Sequence, residues 1–471
     1  MSLQSIIILL YLAVTVLIGV IAQKKTRTAN SFHGAGLGVL MCVAAGTGEW
    51  LGGTSTTGVS EYGYVFGISG AWYTLANGVG IIIMALLFAK LYRSLETVTI
   101  PGIIEKFIGV DARMVSSVLL TFVMIAIGTS QIVAAGTLGV TVFRMDYVAA
   151  VLILGTGFII YTLAGGMVAV GYTNIMHLFV MYGGIILAIV VVGRDVGGIA
   201  GMKAALPESY FNMTSIGLPK VSSWLIASIL GACTAQAGIQ PILAAKDVHV
   251  AKKAAIITAF VVAPFGIFTA LLGMAAKVKF PGLVNAKQAL PTLIMELNPI
   301  VGGIVFASIL AAVLSTISPI ILAAGTMITK DIYQRRLKPD ASDKKVLFMS
   351  RITTAVAGVL CMVIAIAMYD STRILDIVYF AYTLRGSLFV VLLLGIYWKK
   401  TSQKGAIWGM LVTAVVGLAW VAFKAVSGTY PINPQFSETY ASVIAALFST
   451  IIFSLIFKGN KAHKEEKAEI V

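Results

Sequence analysis

Apolar residues in this chain do not alternate with polar ones; they run on. A helix needs about 20 consecutive apolar residues to cross the hydrocarbon core of a bilayer. Thirteen stretches approach or exceed that length: 3–22, 36–62, 67–93, 112–143, 147–164, 166–193, 219–243, 251–277, 298–327, 345–368, 372–397, 404–425 and 437–457. The polar intervals between them are short, 194–218 and 328–344 among them. No interval holds a soluble catalytic domain, so function must lie among the helices. The pattern predicts an all-α integral membrane protein with 13 transmembrane helices, a single transmembrane domain over residues 1–471 with a tail at 458–471. The first run lacks a basic leader and a small-residue cleavage site, so it reads as a helix rather than a signal peptide.

Composition narrows the class further. Of 471 residues, 59% are hydrophobic and 11% charged, where soluble domains carry about 25% charged residues. That excludes a soluble multidomain enzyme, a disordered chain and a disulfide scaffold as leading readings. Cys42, Cys233 and Cys361 all sit inside apolar runs and read as packed thiols. A net charge of +15 would suggest nucleic acid in a soluble protein; here it reflects basic cytoplasmic loops, with the lipid bilayer as surroundings and no nucleic-acid partner. When 23–35 is placed inside and the spans alternate from there, 24 of the 34 Lys and Arg residues fall inside and nine outside, with Arg385 within a span. The asymmetry predicts a multi-pass cell-membrane protein, its N-terminus outside and its C-terminus in the cytoplasm.

Helix breaks separate a carrier from a channel. The second span contains Ala44-Ala45-Gly46-Thr47-Gly48-Glu49-Trp50-Leu51-Gly52-Gly53, and the seventh contains Gly231-Ala232-Cys233-Thr234-Ala235-Gln236-Ala237-Gly238-Ile239-Gln240-Pro241. These spans open two successive groups of five. Interrupted helices at matching places in two halves are the mark of an inverted-repeat transporter. Glycine alone is also explained by close helix packing. Glu49 tilts the reading, because a mid-membrane acid is costly and usually functional.

Four motifs then stand in order along the chain: Tyr161-Thr162-Leu163-Ala164-Gly165-Gly166-Met167-Val168-Ala169; Ala244-Ala245-Lys246-Asp247; Leu314-Ser315-Thr316-Ile317-Ser318 running on to Asp331-Ile332-Tyr333; and Tyr397-Trp398-Lys399-Lys400 followed by Lys404-Gly405-Ala406. With them the chain resembles the sodium:solute symporter family over nearly its full length. The resemblance implies a LeuT-like core of five-plus-five inverted repeats, 36–193 and 219–397, with one extra helix before (3–22) and two after (404–457). It implies a secondary active transporter: sodium-coupled symport of a small polar organic solute by alternating access, an amino acid or other zwitterion or an organic acid being favoured. An uncoupled or proton-coupled carrier and a transporter-like solute sensor are the rivals, and the short segment after 457 speaks against the sensor. An enzyme is not expected, since no paired carboxylates, metal spacing or nucleotide loop is present.

Ala312, Ser315 and Thr316 share one helix face by their spacing, although a helical Ser commonly bonds its own backbone. By resemblance these three, with the carbonyls of Cys42 and Ala45 counted back from Gly52, hold Na+. Relatives with two sodium ions carry an aspartate in a Thr-Asp stretch and further serines; here the corresponding runs read Thr173-Asn174 and Ser318-Pro319. One coupling Na+ is therefore expected. His177, nearby, is either a packing residue or a proton carrier, since imidazole titrates near neutrality. The solute, again by resemblance, lies between the two breaks, among Thr47, Glu49, Trp50, Trp72, Tyr73, Thr234, Gln236, Gln240 and Arg385. Trp72 and Tyr73 also suit an interfacial aromatic belt. Gln240-Pro241 replaces the Gln-Arg seen in relatives, which removes the usual arginine. Glu49 and Arg385 are the deepest charges of opposite sign, either a structural ion pair or the two poles that a zwitterion bridges.

Overall fold

In lipid the backbone has no water to bond, so an uninterrupted apolar run can satisfy its amides only by closing helices on itself. The computed structural model describes residues 3–23, 36–369 and 373–457, where helices joined by turns and short loops make up the chain, with one isolated bridge between Leu37 and Ala245. The elements that position the site are α1 (Leu3–Gln23), α2 (Val39–Trp50), α3 (Val59–Phe66), α4 (Trp72–Leu87), α5 (Ile100–Phe107), α6 (Val110–Phe143), α7 (Tyr147–Asp195), α8 (Leu218–Ala232), α9 (Gln236–Leu243), α10 (Val248–Val262), α11 (Phe265–Lys279), α12 (Pro299–Met327), α13 (Asp343–Met368), α14 (Ile374–Tyr397), α15 (Gln403–Ser427) and α16 (Glu438–Ile456). Among the described residues ten helices are long and apolar enough to cross a membrane. Lys24, Lys25 and Arg27, the side chains of 164–169 within the Tyr161–Ala169 motif, and the tail 458–471 lie outside the described residues.

Ten rather than thirteen has identifiable causes. The expected second span is split, α2 ending at Trp50 while a π-turn at Thr54–Gly58 leads into α3, and the 3-10 turn Gly67–Ala71 joins α3 to α4. Thr54–Leu87 thus reads as one crossing with α2 cut off ahead of it. Two shorter apolar helices, Ile6–Ile18 and Tyr147–Leu163, account for further expected spans. Helical backbone runs without interruption through α7, yet a straight helix would hold Tyr161 and Thr173 roughly 18 Å apart. Their side chains are hydrogen-bonded. The limbs Tyr147–Leu163 and Val170–Asp195 therefore fold back on each other, as the expected boundary at 165 requires.

Burial sorts the helices into core and rim. The most apolar windows of α12 and α14 are 83% buried, those of α15 28%. Small residues let α12 pass close to its neighbours: Ser308 meets Gly184 of α7, and Thr354 of α13 meets Gly325. The rim helices instead turn side chains such as Val415, Leu418, Phe448 and Ile452 outward, as a lipid-facing surface demands.

Candidate functional site at the two helix breaks

The first break begins where α2 stops. Leu51 leaves the helical region (φ −111°, ψ 75°) while its N–H still donates to the Thr47 carbonyl. Two glycines here exist because α12 passes too close for a Cβ: one at Gly48 would collide with the Ser315 carbonyl and the Asn174 amide, and one at Gly52 with the Thr316 hydroxyl and the Gln131 amide oxygen. Ser315 Oγ donates to the Ala312 carbonyl at 2.9 Å and lies 3.4 Å from the Leu51 carbonyl. Thr316 Oγ1 donates to the same Ala312 carbonyl at 3.0 Å. The structure thus brings Ala312, Ser315 and Thr316 to the break.

The Cys42 thiol is held at the second break. It donates to the Pro241 carbonyl at 3.2 Å, and Cys42 shares with Gly46 and Trp50 a stripe lining a cavity with Thr258 of α10. The carbonyl that the Ser315 hydroxyl meets belongs to Leu51. At 1.5 Å of rise per residue, Ala45 lies roughly 9 Å and Cys42 roughly 13 Å back along the axis from it. Among the described residues no cluster of three His, Cys, Asp or Glu exists that could hold a metal ion; the oxygens at this break are neutral, which suits a weakly held monovalent cation.

At the centre Arg385 of α14 forms a salt bridge through Nη1 with Glu49 Oε1, both side chains fully buried. The guanidinium lies 3.8 Å from the Tyr382 ring centroid and 4.8 Å from that of Trp50, a sandwich that favours a cation over aromatic faces. Glu49 Oε2 and Arg385 Nε and Nη2 have no hydrogen-bond partner among the described residues. A Cβ on Gly238 would stand 2.9 Å from Glu49 Oε2, and one on Gly231 3.0 Å from Arg385 Nε. The pair therefore sits between both breaks. Glu49 itself lies in the last helical turn of α2, not in unwound backbone as the glycines suggested.

Tyr73 roofs the pair: its hydroxyl is 3.0 Å from that of Tyr382 and the rings stack, with Tyr379 set edge-on and in turn stacked on Trp224. Tyr382 and Tyr379 are absent from the sequence-based site. Their signal was legible, since Tyr379, Tyr382 and Arg385 recur every three residues and so face one way.

At the second break Cys233, Thr234 and Ala235 separate α8 from α9. Thr234 Oγ1 donates to the Arg385 carbonyl at 2.5 Å, and Tyr92 to the Cys233 carbonyl at 2.8 Å. Gln236 does not reach the pair by any hydrogen bond; its amide accepts from Ile100 N–H at 2.7 Å and donates to the Val98 carbonyl at 3.1 Å, tying α9 to the segment before α5. Trp72 donates to the Met213 carbonyl at 2.8 Å, holding the loop after α7. Thr47 and Gln240 are buried in α2 and α9. Asn174 donates to the Ser315 carbonyl at 3.2 Å, and His177 is buried against Tyr11 of α1 through Nδ1. Beside Trp50 and Gly238 the helices leave a cavity of about 10 Å³, roughly the space of one water.

Farther along, Asp331 Oδ1 accepts from Arg113 Nε and Nη2 at 2.9 and 2.6 Å and from Thr99 at 2.8 Å, while Glu105 pairs with Arg113 and Arg335. Burial alone would raise the Glu105 carboxyl, but hydrogen bonds and charge from Arg335 and Arg113 hold it below its ordinary value. The carbonyl of Ala245 accepts from Arg93 at 2.7 Å, and Leu37 exchanges backbone bonds with Ala244 and Lys246.

The family model for the sodium:solute symporter family matches residues 32–413. The osmoregulated proline transporter OpuE of Bacillus subtilis is 26% identical, over 97% of this chain and 96% of its own. The sodium/proline symporter of Haemophilus influenzae is 26% identical over 97% and 98%. Among solved structures, the substrate-bound outward-open state of a Na+-coupled sialic acid symporter superposes with a TM-score of 0.80 at 20% identity, covering 97% of this chain and 98% of that one.

Proposed function

The chain belongs to the sodium:solute symporter family, and from that premise we propose that it carries a zwitterionic amino acid together with one sodium ion, the solute clamped between Glu49 and Arg385. Sodium-coupled symport of a small polar solute is the function its family and relatives share. One observation carries the finer reading. The Glu49–Arg385 pair touches both helix breaks and leaves three buried polar atoms without a hydrogen-bond partner among the described residues. A buried ion pair with incomplete hydrogen bonding stabilises little and is costly to break, so as a purely structural device it is poor. As a site it makes sense: an ammonium on Glu49 and a carboxylate on Arg385 would complete both sets of bonds. Relatives named for proline carry a zwitterion of that kind.

Sodium is assigned to the first break, on the Ser315 and Thr316 hydroxyls and the Ala312 carbonyl, with backbone carbonyls of α2; Leu51 joins Ala45 and Cys42 as a candidate on the strength of its approach to Ser315. Asn174 stands where relatives with two sodium ions carry an aspartate, and its nitrogen donates to the Ser315 carbonyl; the missing carboxylate supports a single ion. His177, buried and held by Tyr11, supports packing rather than proton transfer. We take the chain as one domain in the cell membrane with thirteen crossings, N-terminus outside and C-terminus inside.

The test is thermal unfolding of the purified protein against a panel of zwitterionic amino acids, with sodium and with choline. Stabilisation by a zwitterion that needs sodium is expected, with half-maximal sodium rising in Ser315→Ala and Thr316→Ala and a Hill coefficient near one for sodium-driven uptake. Stabilisation only by sugars or uncharged solutes refutes the clamp. Impermeant labelling of a cysteine placed at Ser342 should require permeabilised cells; labelling in intact cells refutes the orientation.

A further inference from the structure

Gln131 of α6 lies one helix away from every residue assigned to the sodium site, and its environment is unusual. The side chain is 1% exposed. Its Nε2 donates to Thr54 Oγ1 at 2.5 Å. Thr54 Oγ1 is 3.2 Å from Ser130 Oγ, and Ser130 Oγ donates to the Ile127 carbonyl at 2.6 Å. With Ser130's proton committed, the Thr54 hydroxyl donates onward to Ser130 and accepts from Gln131, whose Nε2 also lies 3.3 Å from Ser130 Oγ. In this arrangement the amide nitrogen faces the π-turn at Thr54–Gly58 and the oxygen the other way.

That oxygen is buried without a hydrogen-bond partner. It points at the bare Cα of Gly52, where a Cβ would strike it and the Thr316 hydroxyl oxygen at once. Thr316 has already given its proton to Ala312 and turns lone pairs to the same place. Two acceptors converge on the end of a broken helix with no donor supplied to either. Burying such oxygens unpaired is costly, whereas a hard cation held between them would satisfy both.

We propose that Gln131 is a sodium ligand, its Oε1 joining Thr316 Oγ1 beside Gly52 and drawing α6 into the cation site. The proposal rests on the assignment of sodium to Ser315 and Thr316 and adds a third helix to it. Sodium arrival would then clamp α6 to the first break, coupling the ion to a helix that the hydroxyl pair alone does not reach.

Sodium chloride itself is the probe, titrated into the purified full-length protein at constant ionic strength with choline chloride, and read by melting temperature. Gln131→Leu should raise the half-stabilising sodium concentration by about tenfold, the loss of one charge-assisted contact. Gln131→Glu keeps an oxygen and should retain the sodium response. Gln131→Asn withdraws the oxygen by one methylene and should also raise the half-stabilising concentration; it serves if Gln131→Leu fails to fold. A merely structural amide would lower the melting temperature equally in sodium and choline and leave the half-stabilising concentration unmoved. If Gln131→Leu and Gln131→Asn match the wild type while Thr316→Ala shifts it, the ligand role of Gln131 is overturned and the hydroxyl site stands. If Thr316→Ala and Ser315→Ala shift nothing either, the sodium site itself is misplaced.

Discussion

At the first helix break the oxygens of Thr316 and Gln131 face Gly52 with no donor between them. At the second, the Cys233 carbonyl accepts from Tyr92, Thr234 donates to the Arg385 carbonyl, and Gln236 is bound at both ends of its amide. The breaks stand at matching places in the chain and are made of similar small and polar residues, yet one is left acceptor-rich and the other is tied to its walls. On the proposed reading the difference separates two tasks: an acceptor-rich break would receive an ion, while the tied break would transmit movement, because residues 233–236 hold the segments at 92–100 and 385.

The largest test removes what the two breaks share. Neutralising one member of the Glu49–Arg385 pair leaves a buried charge alone, which costs about 3–5 kcal/mol; Glu49→Gln and Arg385→Gln should each melt far lower than the wild type. The double variant should recover much of that stability and still show no stabilisation by zwitterions. Recovery of the zwitterion response would reduce the pair to scaffolding.

Gly52→Ala comes next and acts on the first break alone. The added methyl has the Thr316 side chain and the Gln131 amide oxygen to strike, so a loss of about 1–3 kcal/mol should accompany a complete loss of the sodium-dependent rise in melting temperature. A variant that still responds to sodium at wild-type concentration would show that the acceptors at Gly52 are not the ion's.

Tyr92→Phe and Gln236→Leu act on the second break. Each removes hydrogen bonds worth about 1 kcal/mol net. If that break transmits movement, uptake should slow while half-stabilising sodium stays put. A shift in sodium response from either variant would erase the distinction between the breaks.

The smallest effect concerns Glu105, beyond both. Its carboxyl sits below the ordinary glutamate value of about 4.3 when folded. A depressed folded value means the contribution is present above the unfolded value and fades as pH falls through the folded one. Glu105→Gln should therefore narrow the gap in melting temperature between pH 7 and pH 4, by a degree or so at most for a partly exposed group. An unchanged gap would show that Arg113 and Arg335 do not depend on it.

Much of this molecule is written locally. Uninterrupted apolar runs over 20 residues dictate helices because lipid offers the backbone nothing else, so the spans were legible, as were the breaks at 51–53 and 233–235 and the common face of Ala312, Ser315 and Thr316. The joining of 54–66 to 67–87 was not, since periodicity does not say where a polar-free run bends. What only the tertiary structure decided is which groups meet. Glu49 and Arg385 are 336 residues apart in the chain, and the rotation of a broken helix that brings them together depends on the helices packed around it. The same rotation faces Leu51 toward Ser315 and turns Gln236 away to Val98 and Ile100. It also aims the Gln131 oxygen at a glycine, a direction set by a relay through Thr54 and Ser130 that involves two helices and so is encoded in neither alone.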